Sequence, residues 1–391
     1  MQKVKFISTF WLLLASTFVF AQQKTNHIAL FTSLYLDSAF NSDLSYRYGK
    51  KFPKQSISGL EFYLGAQFAI DSLKTYPELN VKVHVYDIRS QSGNIQKITS
   101  SPVMDSIDLI IGAVSGNEYL QLAKIAQEKA IPFVSATYPN DGGIKNNPFV
   151  LVASPKLNTH LQATYNYILR NLTTFNLIYA RRKNTLDNRI SDAFTELNKG
   201  SNGTPPVRYK TAILSDFPNP QEILSQIDST KENVIIVGSL DENFGRSLAL
   251  STQQITKKSI AVSVVGMPTW EGIKEIQNPE FKNISIVYSN SFYNKKDSWS
   301  KGFEEAYRKK TFSRPSDFAY KGYELTWFFS WLLNKYGRDL INHVNEKSYI
   351  LQTDFDFRPI MWSKDATQPD YYENKRVYLV RRYLGQTSSV N

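Results

Sequence analysis

The chain contains no cysteine. That excludes disulfides, thiolate-bound zinc, a cysteine nucleophile and a lipidated N-terminal cysteine. A large exported protein without disulfides suits a bacterial periplasm better than an animal extracellular space. Histidine is scarce: His27, His84, His160 and His343 lie far apart, and none falls in an HExxH or paired-ligand spacing. Neither a phosphate-binding GxxxxGK[ST] loop nor a GxGxxG fingerprint occurs. Gly112-Ala113-Val114-Ser115-Gly116 carries its serine one place too late for a nucleophile elbow, where serine is the third residue. With no constellation to assign, no catalytic residue, metal or cofactor is expected.

Long apolar runs are also missing, except at the N-terminus. There, Lys3 and Lys5 precede a run from Phe10 to Phe20 broken only by Ser16 and Thr17. The run is shorter than the ~20 residues a membrane span needs. Val19-Phe20-Ala21 places small residues where a signal peptidase reads. Residues 1–21 are therefore expected to be a secretory signal peptide cleaved after Ala21. The mature chain would be periplasmic, without a lipid anchor or a transmembrane segment. The formal charge is +11, from 46 basic and 35 acidic residues. The basic residues are scattered in pairs such as Arg181-Arg182 and Arg381-Arg382, with no stripe interleaved with aromatics. That pattern argues for a solvated basic surface and against a nucleic-acid partner.

What the chain does have is repeated alternation of strand-like and helix-like segments. The clearest unit is Asp108–Pro139, DLIIGAVSGNEYLQLAKIAQEKAIPFVSATYP. Asp108–Gly112 reads as a buried strand, Glu118–Lys129 as an amphipathic helix and Ile131–Ser135 as a second strand. Two hydroxyl-bearing turns, at Ser115 and at Ser135-Ala136-Thr137, close the carboxyl ends of these adjacent strands. Ligands bind at that edge of open α/β sheets, and a helix N-terminus there attracts an anion. Ser115 serves equally as an N-cap, and Ser135 and Thr137 as turn-closing hydroxyls. The alternation predicts mostly parallel sheets with helices on both faces, and the chain length predicts two lobes. Ser154-Pro155 is the expected first crossing between them. Residues 36–57 form a long polar segment without periodicity, read either as a cover for the cleft or as a surface insertion.

Several motifs together resemble the type I periplasmic binding proteins, in particular the branched-chain amino acid receptors. Gly59…Gly65-Ala66…Ala69-Ile70-Asp71 is similar to that family's first-helix pattern, and Asp108–Ser115 to its glycine–serine turn. Ile131-Pro132-Phe133-Val134-Ser135-Ala136-Thr137 resembles its next strand and turn. Phe149…Ser154-Pro155…Gln162-Ala163 resembles the start of its second lobe, and Phe303…Tyr307…Pro315…Ala319…Gly322-Tyr323-Glu324 its late helix pair. The resemblance covers nearly all of 27–385. It implies an α/β fold of two lobes, each a mostly parallel sheet flanked by helices, joined by several crossover strands. It places lobe 1 at 22–153 plus about 289–345, and lobe 2 at 154–288 plus about 346–391.

The resemblance also implies a small polar ligand, such as an amino acid or peptide, held for uptake or sensing and passed to a membrane permease. Carried over by position, Ser115, Ser135, Ala136 and Thr137 are the first-lobe contacts, and Tyr179, Ser239 and Trp270 the second-lobe ones. Simple packing is the competing role for Tyr179 and Trp270. Two features depart from the pattern. The acidic, glycine-containing turn after the first second-lobe strand is replaced by Ala180-Arg181-Arg182-Lys183-Asn184, and no acidic partner for an ammonium group stands out, Asp241 and Glu271 being the candidates. Arginines facing the cleft would favour an anionic ligand. The second reading is an envelope interaction protein using the same fold to contact a partner, for example in regulating cell-wall synthesis.

Overall fold

A computed structural model describes residues 24–90, 94–200, 204–257, 260–279 and 281–390. The signal peptide expected at 1–21 lies outside them. Among the described residues, no helix is long and apolar enough to cross a membrane.

Two sheets of seven strands each carry the fold. The first contains β1 (Asn26–Thr32), β2 (Val81–Asp87), β3 (Leu109–Gly112), β4 (Phe133–Ser135) and β5 (Val150–Val152). The second contains β6 (Asn176–Arg181), β7 (Lys210–Ile213), β8 (Asn233–Val237), β9 (Val262–Gly266) and β10 (Ser285–Asn290). Late strands complete both: β11 (Phe357–Ile360) and β12 (Tyr371–Asn374) join the first, β13 (Tyr378–Tyr383) and β14 (Gln386–Ser389) the second. The orders are β11-β12-β5-β4-β3-β1-β2 and β14-β13-β10-β9-β8-β6-β7. Pairing is parallel throughout β1–β10 and antiparallel at β11–β12, β10–β13 and β13–β14. The central strands β3, β4, β5 and β8 are buried on both faces and read as unbroken apolar runs, as parallel strands covered by helices do. The edge strands β2 and β7 are only partly covered.

Seven longer helices flank the sheets: α1 (Lys54–Leu73), α2 (Gly116–Lys129), α3 (Leu157–Asn171), α4 (Thr185–Leu197), α5 (Glu242–Thr256), α6 (Ser298–Thr311) and α7 (Asp317–Tyr336). The pair α1 and α7 fixes what faces the cleft. A Cβ at Gly65 would lie 1.9 Å from the Ala319 carbonyl oxygen, and one at Gly322 2.0 Å from that of Phe62. Only glycine allows the two backbones to come this close. This contact, with Phe68, Phe303, Tyr307, Tyr320 and Tyr323 packed beside it, seats the N-terminal turns of α7 at the carboxyl edge of lobe 1.

The chain crosses between lobes three times: after β5 near Ser154, after β10 near Ser291, and between β12 and β13. One boundary differs from expectation. Residues 357–374 were expected in lobe 2, yet β11 and β12 pair within the first sheet. The sequence shows a strand's apolar pattern but not which sheet edge is open to it. The first and third crossings are tied together by charge. The Lys156 ammonium donates to the Asp141 carboxylate and to the Tyr371 hydroxyl. Thr159 and Lys375 both donate to the buried Glu373 carboxylate, at 2.6 and 2.7 Å. Burial pushes the Asp141 carboxyl up, but Lys156, the Gly143 N–H and Tyr371 together hold it below its ordinary value.

Candidate functional site

The carboxyl ends of both sheets face each other between the lobes. On the first-lobe side, α2 begins at this edge and Ser115 occupies its N-cap without making the capping hydrogen bond. Its hydroxyl stays exposed, and the first N–H groups of the helix lack a side-chain acceptor. Ser135, paired to Gly112 at the end of β4, is fully buried, and its Oγ has no hydrogen-bond partner. Ala136 is fully buried, and Thr137 is half-buried beyond it. The four first-lobe residues expected from sequence thus share one edge. Ser115 keeps an exposed, uncommitted hydroxyl there beside an uncapped helix N-terminus, while the unpartnered Ser135 hydroxyl lies sealed beneath it.

The second-lobe expectations fare differently. Tyr179 is 1% exposed and packs against Phe194, Tyr209 and Gly238 in the core. Trp270 is fully buried over Gly266 and Gly245. Neither reaches the cleft, because large aromatics at strand ends fill the volume left by nearby glycines. Ser239 is buried and donates to the Asp187 carboxylate at 3.1 Å. The two arginines at the end of β6 are both held by neighbours, but only Arg182 is ion-paired. Arg182 is held by Asp187 and by Asp241, at 3.2 and 3.1 Å. Arg181 donates to Asn188 and to the Arg182 carbonyl. The charge of Arg182 is therefore neutralised within lobe 2, while Arg181 is held by neutral acceptors and keeps its charge. Asp241, a candidate for binding an ammonium, is committed to Arg182 and to capping α5 through the Phe244 N–H.

A line of charged groups comes from α7. Asp317, Lys321 and Glu324 fall at i, i+4 and i+7 on one side of this otherwise apolar helix. The Lys321 ammonium lies 3.1 Å from Ser154 Oγ, which in turn donates to the Ala136 carbonyl. Ala136, Ala153, Ser291, Lys321 and Asn374 line one small cavity where the crossing segments meet. Burial pushes the Lys321 ammonium down, against the pull of Asp317 and Glu324. Glu324 is buried and accepts from the N–H groups of Gln352 and Thr353, both at 2.6 Å, and from the Thr353 hydroxyl. Burial nevertheless raises its carboxyl above the ordinary value. This glutamate pins the segment before β11 and is structural.

Asp317 is half-buried. Among the described residues its one side-chain hydrogen bond is to Asn290 of lobe 2, at a long 3.4 Å, and Lys321 and Arg382 act on it as nearby cations. Burial and the facing Glu271 push its carboxyl up to about 6. Across from it stands a lobe 2 cluster in which Tyr288 donates to Glu271 at 2.5 Å, and Arg382 donates to Tyr288 at 2.8 Å and to Glu271 at 3.4 Å. His160 is buried against Ser289, and burial together with Lys321 pushes its imidazole down to about 3, so it stays neutral. Sequence reasoning missed Asp317, Lys321 and His160. The available signal was the acid–base–acid spacing on a helix whose other positions are apolar.

No known protein family matches the sequence, and no curated protein matches it. The fold, however, is that of solved proteins. It is similar to the branched-chain amino acid transporter substrate-binding protein LivJ from Streptococcus pneumoniae in complex with isoleucine, at 16% identity and TM-score 0.55, over 94% of this chain and 99% of that one. It is similar to a putative branched-chain amino acid ABC transporter protein from Rhodospirillum rubrum, at 12% identity and TM-score 0.66, over 94% and 100%. A solute-binding protein from R. palustris in complex with benzoate aligns at 14% identity and TM-score 0.52, over 94% and 96%. The architecture is therefore the two-lobed type I periplasmic-binding fold.

Proposed function

We propose that this chain is an exported solute-binding protein that closes its lobes around a small zwitterionic or anionic ligand, an amino acid or short peptide, and passes it to a membrane permease. The observation that carries this reading is the set of uncommitted polar groups at the facing strand ends. The uncapped start of α2, with the exposed Ser115 and the half-buried Thr137, suits a carboxylate. Asp317, whose one side-chain hydrogen bond among the described residues is long, suits an ammonium group arriving from the opposite side, in competition with Lys321 and Arg382. The isoleucine and benzoate of the solved neighbours are both carboxylates, which supports the first half of this assignment. Hinge closure between lobes tied by three crossings is the expected motion. A thermal-shift scan of the chain from residue 22 onward, against amino acids, dipeptides and aromatic carboxylates, tests the reading. A ligand at ~100 times its Kd adds ~2.7 kcal/mol of stability. A raised melting temperature with an α-amino acid or peptide is the expected result; no shift across the panel would refute it.

A further inference from the structure

The segment 36–57 does not lie as a featureless loop. A short helix at Leu36–Ala39, an isolated bridge between Phe40 and Tyr46, and edge-on contacts among Phe40, Tyr46 and Tyr48 give it a packed form. Asp87, the last residue of β2, anchors its start by accepting from the N–H groups of Leu34 and Leu36, both at 2.9 Å. Between this segment, the edge strand β2 and the first turns of α1 lies a cavity of about 520 Å³. Its walls are mainly apolar: Leu34, Leu36, Phe40, Phe52, Leu60 and Val85. Phe52 and Leu36 are 50% and 49% exposed, so the apolar lining is open to water rather than a sealed core. The volume falls in the range of small-molecule sites, about 300–1,000 Å³.

Three polar features give the cavity a preferred ligand. Ser56, in the first turn of α1, lines it, is 2% exposed, and its Oγ has no partner. Buried hydroxyls are normally hydrogen-bonded. The twenty-residue helix α1 starts here behind Pro53, which offers no side-chain cap, so its positive end is also open. Residues 47–54, RYGKKFPK, carry Arg47, Lys50, Lys51 and Lys54 and no acid. The one acid in the lining, Asp87, has both oxygens occupied by the Leu34, Leu36 and Arg89 N–H groups.

We infer that this cavity is a second binding site, separate from the interlobe cleft, for an amphiphile with an acyl-like apolar body and a terminal anion. The apolar body packs against Leu36, Phe52, Leu60 and Val85. The anionic head sits at the start of α1, within reach of the Ser56 hydroxyl and the basic 47–54 segment. Free fatty acids and anionic lipids share this chemistry.

Isothermal titration of the chain from residue 22 onward with decanoate, and with decylamine as the cationic control, tests the inference. Decanoate is expected to bind at least tenfold more tightly than decylamine. Leu60→Trp, which fills the cavity, should weaken decanoate at least tenfold and leave any cleft ligand unaffected. Should that variant not fold, Val85→Trp on the half-open edge strand fills the same space. Co-sedimentation with vesicles containing an anionic phospholipid separates the sources: pelleting that Leu60→Trp abolishes assigns the site to lipid, and decanoate binding without pelleting assigns it to free fatty acid. Absence of both, equal binding of decanoate and decylamine, or decanoate binding that survives the filled cavity would overturn the site. None of these outcomes depends on whether the cleft binds an amino acid.

Discussion

Replacing Asp317 with asparagine separates its cost to folding from its use in the cleft. Its carboxyl is raised from 3.8 to about 6 by burial and by Glu271. That rise corresponds to roughly 3 kcal/mol of preference for the protonated form in the folded state. The group keeps part of its surface in water, so an effect of about 1–2 kcal/mol is the working expectation. The sign follows from linkage. Between about pH 4 and pH 6 the folded state binds more protons at this site than the unfolded state, so its contribution to stability falls as pH rises through that window. Above about pH 6 the loss is complete and constant. Asparagine carries no such penalty. Asp317→Asn is therefore expected to be more stable than the wild type at pH 7.5 by about 1–2 kcal/mol, and equal to it near pH 4. Urea denaturation of both proteins at pH 4, 6 and 7.5 measures the difference, with the other titrating groups cancelling in the comparison. The same variant should bind an ammonium-bearing ligand at least tenfold more weakly, a trade of function for stability. A variant less stable than the wild type by the same amount at every pH would refute the reasoning, because Asp317 would then be acting as a structural partner.

Two further outcomes test the packing. Gly322→Ala should cost about 3 kcal/mol or more in urea denaturation, at the upper end of overpacking effects, because the added carbon meets the Phe62 carbonyl rather than a movable side chain. A loss below about 0.5 kcal/mol would mean the α1–α7 contact is looser than described. Tyr179→Phe removes a buried hydroxyl without a well-formed hydrogen bond, so stability should change by less than about 1 kcal/mol and ligand affinity should stay unchanged. Lost affinity would return Tyr179 to the site.

The helical and strand periodicities were legible along most of the chain. The helices Glu242–Thr256 and Asp317–Tyr336 occupy the spans the sequence predicts, because strong apolar spacing runs through both. The strands Tyr371–Asn374 and Gln386–Ser389 were not anticipated. Both are short and polar, and they exist because a sheet edge is there to pair with. The βαβ unit that carries the first-lobe turns was legible because strand, turn and helix follow one another within thirty residues. The second-lobe candidates were misplaced. Position at a strand end does not say whether Tyr179 or Trp270 turns toward the cleft or into the helices, and nearby Gly238, Gly245 and Gly266 left room inward.

The sequence by itself determined the class of architecture, the approximate elements and the first crossing at Ser154, because local periodicity and turn chemistry act over a few residues. Only the tertiary structure decided that β11 and β12 complete lobe 1, that Arg182 is neutralised by Asp187 and Asp241, and that Asp317 and Lys321 meet Asn290 and Ser154. These facts depend on which surfaces meet across long separations in the chain. Asp317 lies 27 residues from Asn290, and Lys321 lies 167 residues from Ser154. No local pattern encodes such meetings; close packing at Gly65 and Gly322 does.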